Sequence, residues 1–313
     1  MARLDENARG VYLIAATPFT ESGALDLASA DRMVDFYLER GADGLTLLGV
    51  MGEAPKLTAE EARTFVARVL DRVRGRVPVV VGVSAPGLAA MKELAARVMD
   101  LGASGVMVAP APGLRTDEQI VGYFESVAEA LGPHTPWVLQ DHPLASGVVL
   151  STAVILRLIG TIPTLVMLKH EECPGLGKLA AIRAASEKGD VRRISILTGN
   201  GGGLFLPEEL SRGADGAMTG FAYPEMMTGV IAAHARGDVE RAHDVFDAYL
   251  PLARYEQQPN VGLAVRKYLL RRLGAIACDA VRKPGPKLSA ADIADIERLI
   301  RRQERRLQEL GLG

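Results

Sequence analysis

A chain of 313 residues, 48% of them apolar, can bury one large core and does not need a second domain to do so. Its formal net charge of −2 gives no whole-molecule field for nucleic acid or an anionic membrane, so the expected partners are small molecules and further copies of the chain. The first residues place Arg3, Asp5, Glu6 and Arg9 ahead of any apolar run, unlike a signal peptide, and no apolar stretch reaches the roughly 18 residues that span a bilayer. A cytoplasmic setting is therefore expected.

Along the chain, short apolar or β-branched runs alternate with longer segments of helical period, the signature of a parallel α/β sheet. The strand runs fall at 11–16, 45–48, 77–83, 105–108, 137–140, 165–169, 194–198 and 216–219. Between them lie helical patterns such as 27–40, 58–74, 87–101, 116–131 and 151–159, several opened by a Ser, Thr or Asp cap. Gly41, Gly75, Gly102, Gly160 and Gly213 stand where a left-handed C-cap wants glycine. The tetrads at 41–44, 102–105 and 213–216 echo one helix-to-strand turn. Eight strand–helix units in roughly 230 residues suit a closed (β/α)8 barrel better than an open doubly wound sheet. The barrel is expected over 1–236. A helical extension over 237–313, with patterns at 239–250, 261–273 and 290–310, is expected to pack on it, since no linker-like tract separates the two.

Lysine is scarce, with eight against 28 arginines among the 36 basic residues. Seven of the lysines fall in polar helices, loops or the tail. Lys169 closes the run Thr164-Leu165-Val166-Met167-Leu168, and a barrel strand lies between the interior and the helices, so both its faces are buried. An ammonium there costs several kcal/mol unless it is paired or gives up its proton, and a neutral lysine is a nucleophile toward carbonyls. The C-terminal ends of the strands are also where barrels build their sites. A structural ion pair with Glu171 or Glu172 is the competing reading of the same position. The two cysteines, Cys173 and Cys278, make no disulfide framework and sit in no CxxC or Cys/His cluster, so no metal site is read from them.

Thr17-Pro18-Phe19 follows the first strand, Gly49-Val50-Met51-Gly52-Glu53 the second, and Lys169 ends the sixth; residues 260–267 and Arg282-Lys283-Pro284 mark the tail. Together these resemble the dihydrodipicolinate synthase and N-acetylneuraminate lyase family over nearly the whole chain. The resemblance implies a barrel with a C-terminal helical extension, assembled as a homotetramer (a dimer of dimers). It also implies a strand-six lysine that forms an imine with pyruvate or another 2-oxo acid, so that no cofactor is needed. Lys169 takes that place.

The family's turn after strand two is implied to hold the 2-oxo acid's carboxylate with backbone N–H groups and a pair of hydroxyls. Here the pair is Val50 and Met51, which keep the backbone donors and lose the hydroxyls. After strand five, Gln140 stands where the family carries a proton-moving tyrosine, and an amide has no titrating proton near neutral pH. Strand parity puts His142 on the same side as Gln140 and makes it the candidate acid or base, ahead of Asp141, Tyr12, Tyr223 and Glu171. His170, next to Lys169, is expected to face the opposite way. The segment Pro143-Leu144-Ala145-Ser146-Gly147 lacks the arginine that dihydrodipicolinate synthase itself uses there, so that reaction is not expected. The run Gly199-Asn200-Gly201-Gly202-Gly203 gives only weak grounds for phosphate binding, while Gly199, Asn200 and Thr17 are candidate substrate contacts.

Two functional readings follow from different classes. One is a Schiff-base lyase, either an aldolase or a 2-oxo-3-deoxy sugar-acid dehydratase. The other is a barrel that binds a 2-oxo acid without turnover, as a sensor or assembly partner. A metal-dependent lyase lacks a visible ligand cluster in the sequence.

Overall fold

Eight short strands pair in parallel, each with the next in chain order, and the last returns to the first. The computed structural model describes residues 3–173 and 175–312. The strands are β1 (Gly10–Ile14), β2 (Gly44–Leu47), β3 (Val79–Gly82), β4 (Gly105–Val108), β5 (Trp137–Asp141), β6 (Leu165–His170), β7 (Ser195–Thr198) and β8 (Gly216–Thr219). All eight expected strands are present within a few residues of their expected bounds, and the closed barrel holds.

Side chains along each strand alternate between two layers, as a period of two requires. Tyr12, Ile14, Val80, Met107, Val138, Met167, Leu197 and Met218 fill the interior. Val11, Leu13, Leu45, Leu47, Val79, Val81, Val106, Leu139, Leu168 and Ile196 face the helices. Both layers are apolar, which is why the runs read as continuous rather than alternating. The floor is closed by Leu4, whose amide donates to the Ser104 carbonyl at 2.8 Å. Tyr12 lies low in the barrel: a side chain on Gly44, the first residue of β2, would come within 2.4 Å of its ring.

One irregularity breaks the register. Trp137 pairs with Leu165, but Val138 pairs with Met167, so Val166 is an extra residue on β6. Such a bulge changes which residues point inward beyond it. Leu165 faces the helices, and after the bulge so do Leu168 and His170, leaving Met167, Lys169 and Glu171 to face the interior and its mouth.

The helices are α1 (Leu27–Glu39), α2 (Ala59–Val73), α3 (Leu88–Asp100), α4 (Asp117–Leu131), α5 (Pro143–Ser146), α6 (Thr152–Thr161), α7 (Leu176–Lys188), α8 (Leu206–Ser211), α9 (Pro224–Ala235), α10 (Val239–Glu256), α11 (Gly262–Arg272) and α12 (Ala290–Glu309). Their starts are fixed by side-chain caps at Asp26, Thr58, Thr116, Ser151, Asp238 and Ser289. Gly41, Gly75, Gly102 and Gly213 adopt the expected positive φ. Gly160 does not, because α6 continues through it to Thr161 and stops only ahead of Pro163. The three helices of the extension pack on the barrel through α9 and reach the mouth with two buried cations. Arg266 pairs with Glu256 at 2.6 Å, and Lys267 with Glu53 at 2.5 Å.

Candidate active site

The barrel mouth has two sides. On one, β5 and β6 run together with Gln140 opposite Lys169. Lys169 is 4% exposed, and its Nζ lies 3.2 Å from Glu171 Oε2. Gln140 Nε2 donates to the same oxygen at 2.8 Å, and His142 Nδ1 stands 3.8 Å from it with no hydrogen-bond partner among the described residues. One carboxylate oxygen therefore faces an amine, an amide and an imidazole. The ion pair of the competing reading is present, but it lies at the mouth beside two further polar groups. Glu171 packs tightly against β7's end, since a side chain on Gly199 would fall 2.4 Å from its Cγ.

The outward faces of the same strand ends carry a second network. Asp141 Oδ2 lies 3.4 Å from His170 Nδ1 and 3.0 Å from Lys178 Nζ. His170 donates through Nε2 to the Gly175 carbonyl at 2.9 Å. Burial would lower the His170 pKa, but the Asp141 carboxylate and the Gly175 carbonyl outweigh it and raise the ring above its ordinary value. His170 thus faces away from the mouth, as strand parity requires, and Asp141 goes with it. Gly175 is required where it is, because a side chain there would meet His170 at 2.2 Å.

On the other side of the mouth, Val50–Gly52 form a single tight turn. Gly52 N donates to the Gly49 carbonyl at 2.9 Å and Glu53 N to the Val50 carbonyl at 3.1 Å, which leaves the Val50 and Met51 amides without backbone partners among the described residues. Met51 packs on the interior layer, and Val50 is 57% exposed. Glu53 ends the turn in the left-handed region with φ 55°, an uncommon conformation for a residue with a Cβ. Three donors hold it there: Lys267 Nζ at 2.5 Å, Lys56 Nζ at 2.9 Å and the Arg282 amide at 3.0 Å. Lys267 is wholly buried and also donates to the carbonyls of Thr17 and Ala280, each at 2.8 Å. Burial holds its ammonium below the ordinary lysine value, against the pull of Glu53. Beside this turn a mostly apolar cavity of ≈ 890 Å³ opens outward past Gly49, Val50, Ser84, Met107 and Ala109, between α2 and α3, and reaches the β5 side only at Gln140.

Several sequence expectations change here. Lys169 is not alone in being a buried lysine: Lys267 is buried completely, and the side chain of Lys178 is only 8% exposed. The partners that let them be buried are far off in sequence. Thr17 is wholly buried and donates its hydroxyl to the Gly52 carbonyl at 2.6 Å, so it braces the turn rather than facing a ligand. Asn200 donates from Nδ2 to the Glu172 carbonyl at 3.0 Å and to Glu209 Oε1 at 2.9 Å, which turns its amide into the loops behind the mouth. Tyr12 lies at the floor and Tyr223 stacks on Phe221 outside the barrel, so neither stands with Lys169. Among the described residues, no three His, Cys, Asp or Glu side chains converge as a metal site would require, and no helix is long and apolar enough to cross a membrane.

The fold and the site together define a (β/α)8 barrel with a buried amine and its carboxylate at the C-terminal ends of the strands. More narrowly, the chain belongs to the dihydrodipicolinate synthetase family, which matches residues 7–303. It is 32% identical to an L-2-keto-3-deoxyarabonate dehydratase of Azospirillum brasilense over 301 residues, 94% of each chain. It is 30% identical to a 4-hydroxy-tetrahydrodipicolinate synthase of Kosmotoga olearia, covering 79% of this chain and 82% of that one. Among solved structures, a dihydrodipicolinate synthase from Rhodopseudomonas palustris superposes with TM-score 0.94 and 48% identity, covering 96% of this chain and all of the other. A prophage protein of the family from E. coli, solved with pyruvate, gives TM-score 0.86 and 25% identity over 95% and 98% of the two chains. The family and fold expected from the sequence both hold. A dehydratase relative of nearly equal length agrees with the lyase-type function expected in place of lysine biosynthesis.

Proposed function

We propose that the protein is a Schiff-base lyase of 2-oxo acids, with dehydration of a 2-oxo-3-deoxy sugar acid as the reaction its site suits best. The observation that carries this reading is the single oxygen, Glu171 Oε2, shared by Lys169 and Gln140. Lys169, having passed a proton to that oxygen, attacks the substrate's C2 carbonyl, and loss of water gives the protonated imine. The imine acidifies C3, and Glu171 removes a C3 proton to give the enamine. The enamine's electron pair then expels the C4 hydroxyl, which leaves as water after protonation by Glu171 or His142. Hydrolysis of the imine frees the amine. Gln140 holds the carboxylate in place, and the free amides of Val50 and Met51 bind the substrate carboxylate.

On this reading Glu171 takes the proton-transfer role that the sequence assigned first to His142. Imidazole and carboxylate share the site, but the carboxylate is the group in contact with the amine. The imine is the only covalent partner the reaction needs, with no separate cofactor. A cytoplasmic homotetramer, a dimer of dimers, accompanies the proposal, and the apolar cavity beside exposed Val50 is a surface a second copy would cover.

The test is incubation with pyruvate and borohydride, then with a panel of 2-oxo-3-deoxy acids. An adduct on Lys169 and turnover lost in Lys169→Ala are expected. Absence of an adduct with every 2-oxo acid overturns the imine. An adduct without turnover supports instead the 2-oxo acid binder, a reading favoured by the missing hydroxyls at 50 and 51 and by Gln140 in the place of the family's tyrosine.

A further inference from the structure

Lys178 takes no part in the chemistry above, yet its ammonium sits where three mouth segments meet. It donates to Asp141 Oδ2 at the end of β5 at 3.0 Å and to the Leu150 carbonyl at 2.5 Å. It also lies 2.9 Å from Glu172 Oε2 in the loop after β6. Asp141 stands between Gln140 and His142, and Glu172 follows Glu171. Asp141 and Leu150 bracket the segment that includes α5, whose Leu144 is 85% exposed and whose neighbour Val149 is 61% exposed. Between its ends only Val148 is buried in the core, so the placement of the segment depends largely on how its two ends are tied.

We infer that Lys178 is a positioning residue: from the far side of β5 and β6 it fixes the spacing of Gln140, His142 and Glu171, and with it the shared oxygen against Lys169. This rests on the proposed imine chemistry and names the residue that aligns it. The physical argument is one of stakes. Each acceptor is the partner of an almost fully buried cation, and removing that cation leaves the buried Asp141 with His170 as its remaining charged neighbour. The two loops are then free to move apart, and a misplacement of about 1 Å at a reacting group can cost about 100-fold in rate. His170 and the raised, buried carboxyl of Glu209 pack behind the same loop. A lost positive charge is therefore felt at the mouth as a gain in negative potential.

The experiment compares Lys178→Met and Lys178→Arg with the wild type, with kcat expressed per lysine trapped by pyruvate and borohydride, so that misfolded enzyme drops out of the count. Expected for Lys178→Met are a fall in kcat per trapped site of about 10- to 100-fold, little change in trapping, and an acid limb of kcat/KM moved to higher pH. Lys178→Arg recovers part of the loss. If Lys178→Met does not fold, Glu172→Gln, which removes one of the three ties, carries the same expectation at smaller size. A wild-type kcat per trapped site with an unshifted pH profile overturns the inference, whatever happens to thermal stability. Absence of trapping in the wild type itself overturns the imine proposal instead.

Discussion

The two sides of the barrel mouth are built on opposite plans. On the β5–β6 side the reactive groups are polar and touch one another, converging on Glu171 Oε2. On the β1–β2 side the residues facing the mouth are Val50 and Met51, and the polar work is done behind them, where Lys267 and Glu53 hold the turn from the extension. One side has the means to move protons; the other has only amides with which to hold an anion. On the proposed chemistry, the separation would let binding and proton transfer be altered independently, because different segments of chain stabilise the two sides.

The largest effect that would sharpen this contrast comes from Glu171→Gln. It is expected to lower kcat by about 10²- to 10⁴-fold, the range for losing a positioned acid or base, while pyruvate still traps on Lys169. A kcat near wild type would move the proton-transfer role to His142. Next in size is Lys267→Met, which strands Glu53 with its two remaining donors. A broken buried pair costs about 3–5 kcal/mol, to be read from urea unfolding, and the folded fraction should show a raised KM with kcat little changed. A matching fall in kcat would show that the two sides are coupled after all.

A smaller gain is expected from Met51→Thr, which puts a hydroxyl beside the free amides. One added hydrogen bond is worth about 1 kcal/mol, roughly fivefold in KM for a 2-oxo acid, provided the methionine's packing on the interior layer is not missed. Smallest is a pH effect remote from the substrate. His170 has a raised pKa in the folded chain, so its contribution to stability is complete below the ordinary imidazole value and is lost as pH rises through the raised one. Unfolding free energies measured from about pH 6 to about pH 9 should fall, and the fall should be shallower in His170→Gln. An unchanged slope would mean that the ring is not charged in the folded state.

What could be read in the sequence follows the reach of each physical signal. Strands buried on both faces announce themselves as apolar runs, and caps such as Thr58 and Ser151 act within three residues, so the barrel and its helices were legible. Lys169 stood out because its neighbours along the strand are apolar. Lys267 is buried more deeply, but its acceptors Thr17 and Glu53 lie more than 200 residues away, and a lysine on a polar helix gives no sign of that. Lys178 is hidden in the same way, on a helix whose sequence looks surface-like. Parity put Gln140 and His142 on one side, and both stand at Glu171 Oε2; Glu171 itself lies just past the strand's end, where the pleat no longer guides a reader. Thr17 and Asn200 were candidate ligand contacts by the place the resemblance gave their turns, and only the fold shows the acceptors their side chains serve.

The extra residue at Val166 sets the reading frame of everything beyond it on β6. Without that bulge, with Val166 kept and paired regularly opposite Val138, the strand would present Leu168 and His170 to the mouth and turn Lys169 and Glu171 toward the helices, exchanging an amine for an imidazole without altering any side chain. The identity of the group presented to the mouth is thus recorded in two places, in the lysine and in a one-residue irregularity three residues before it. Closing the bulge while keeping every residue would leave the composition of the site unchanged and take the amine out of the mouth.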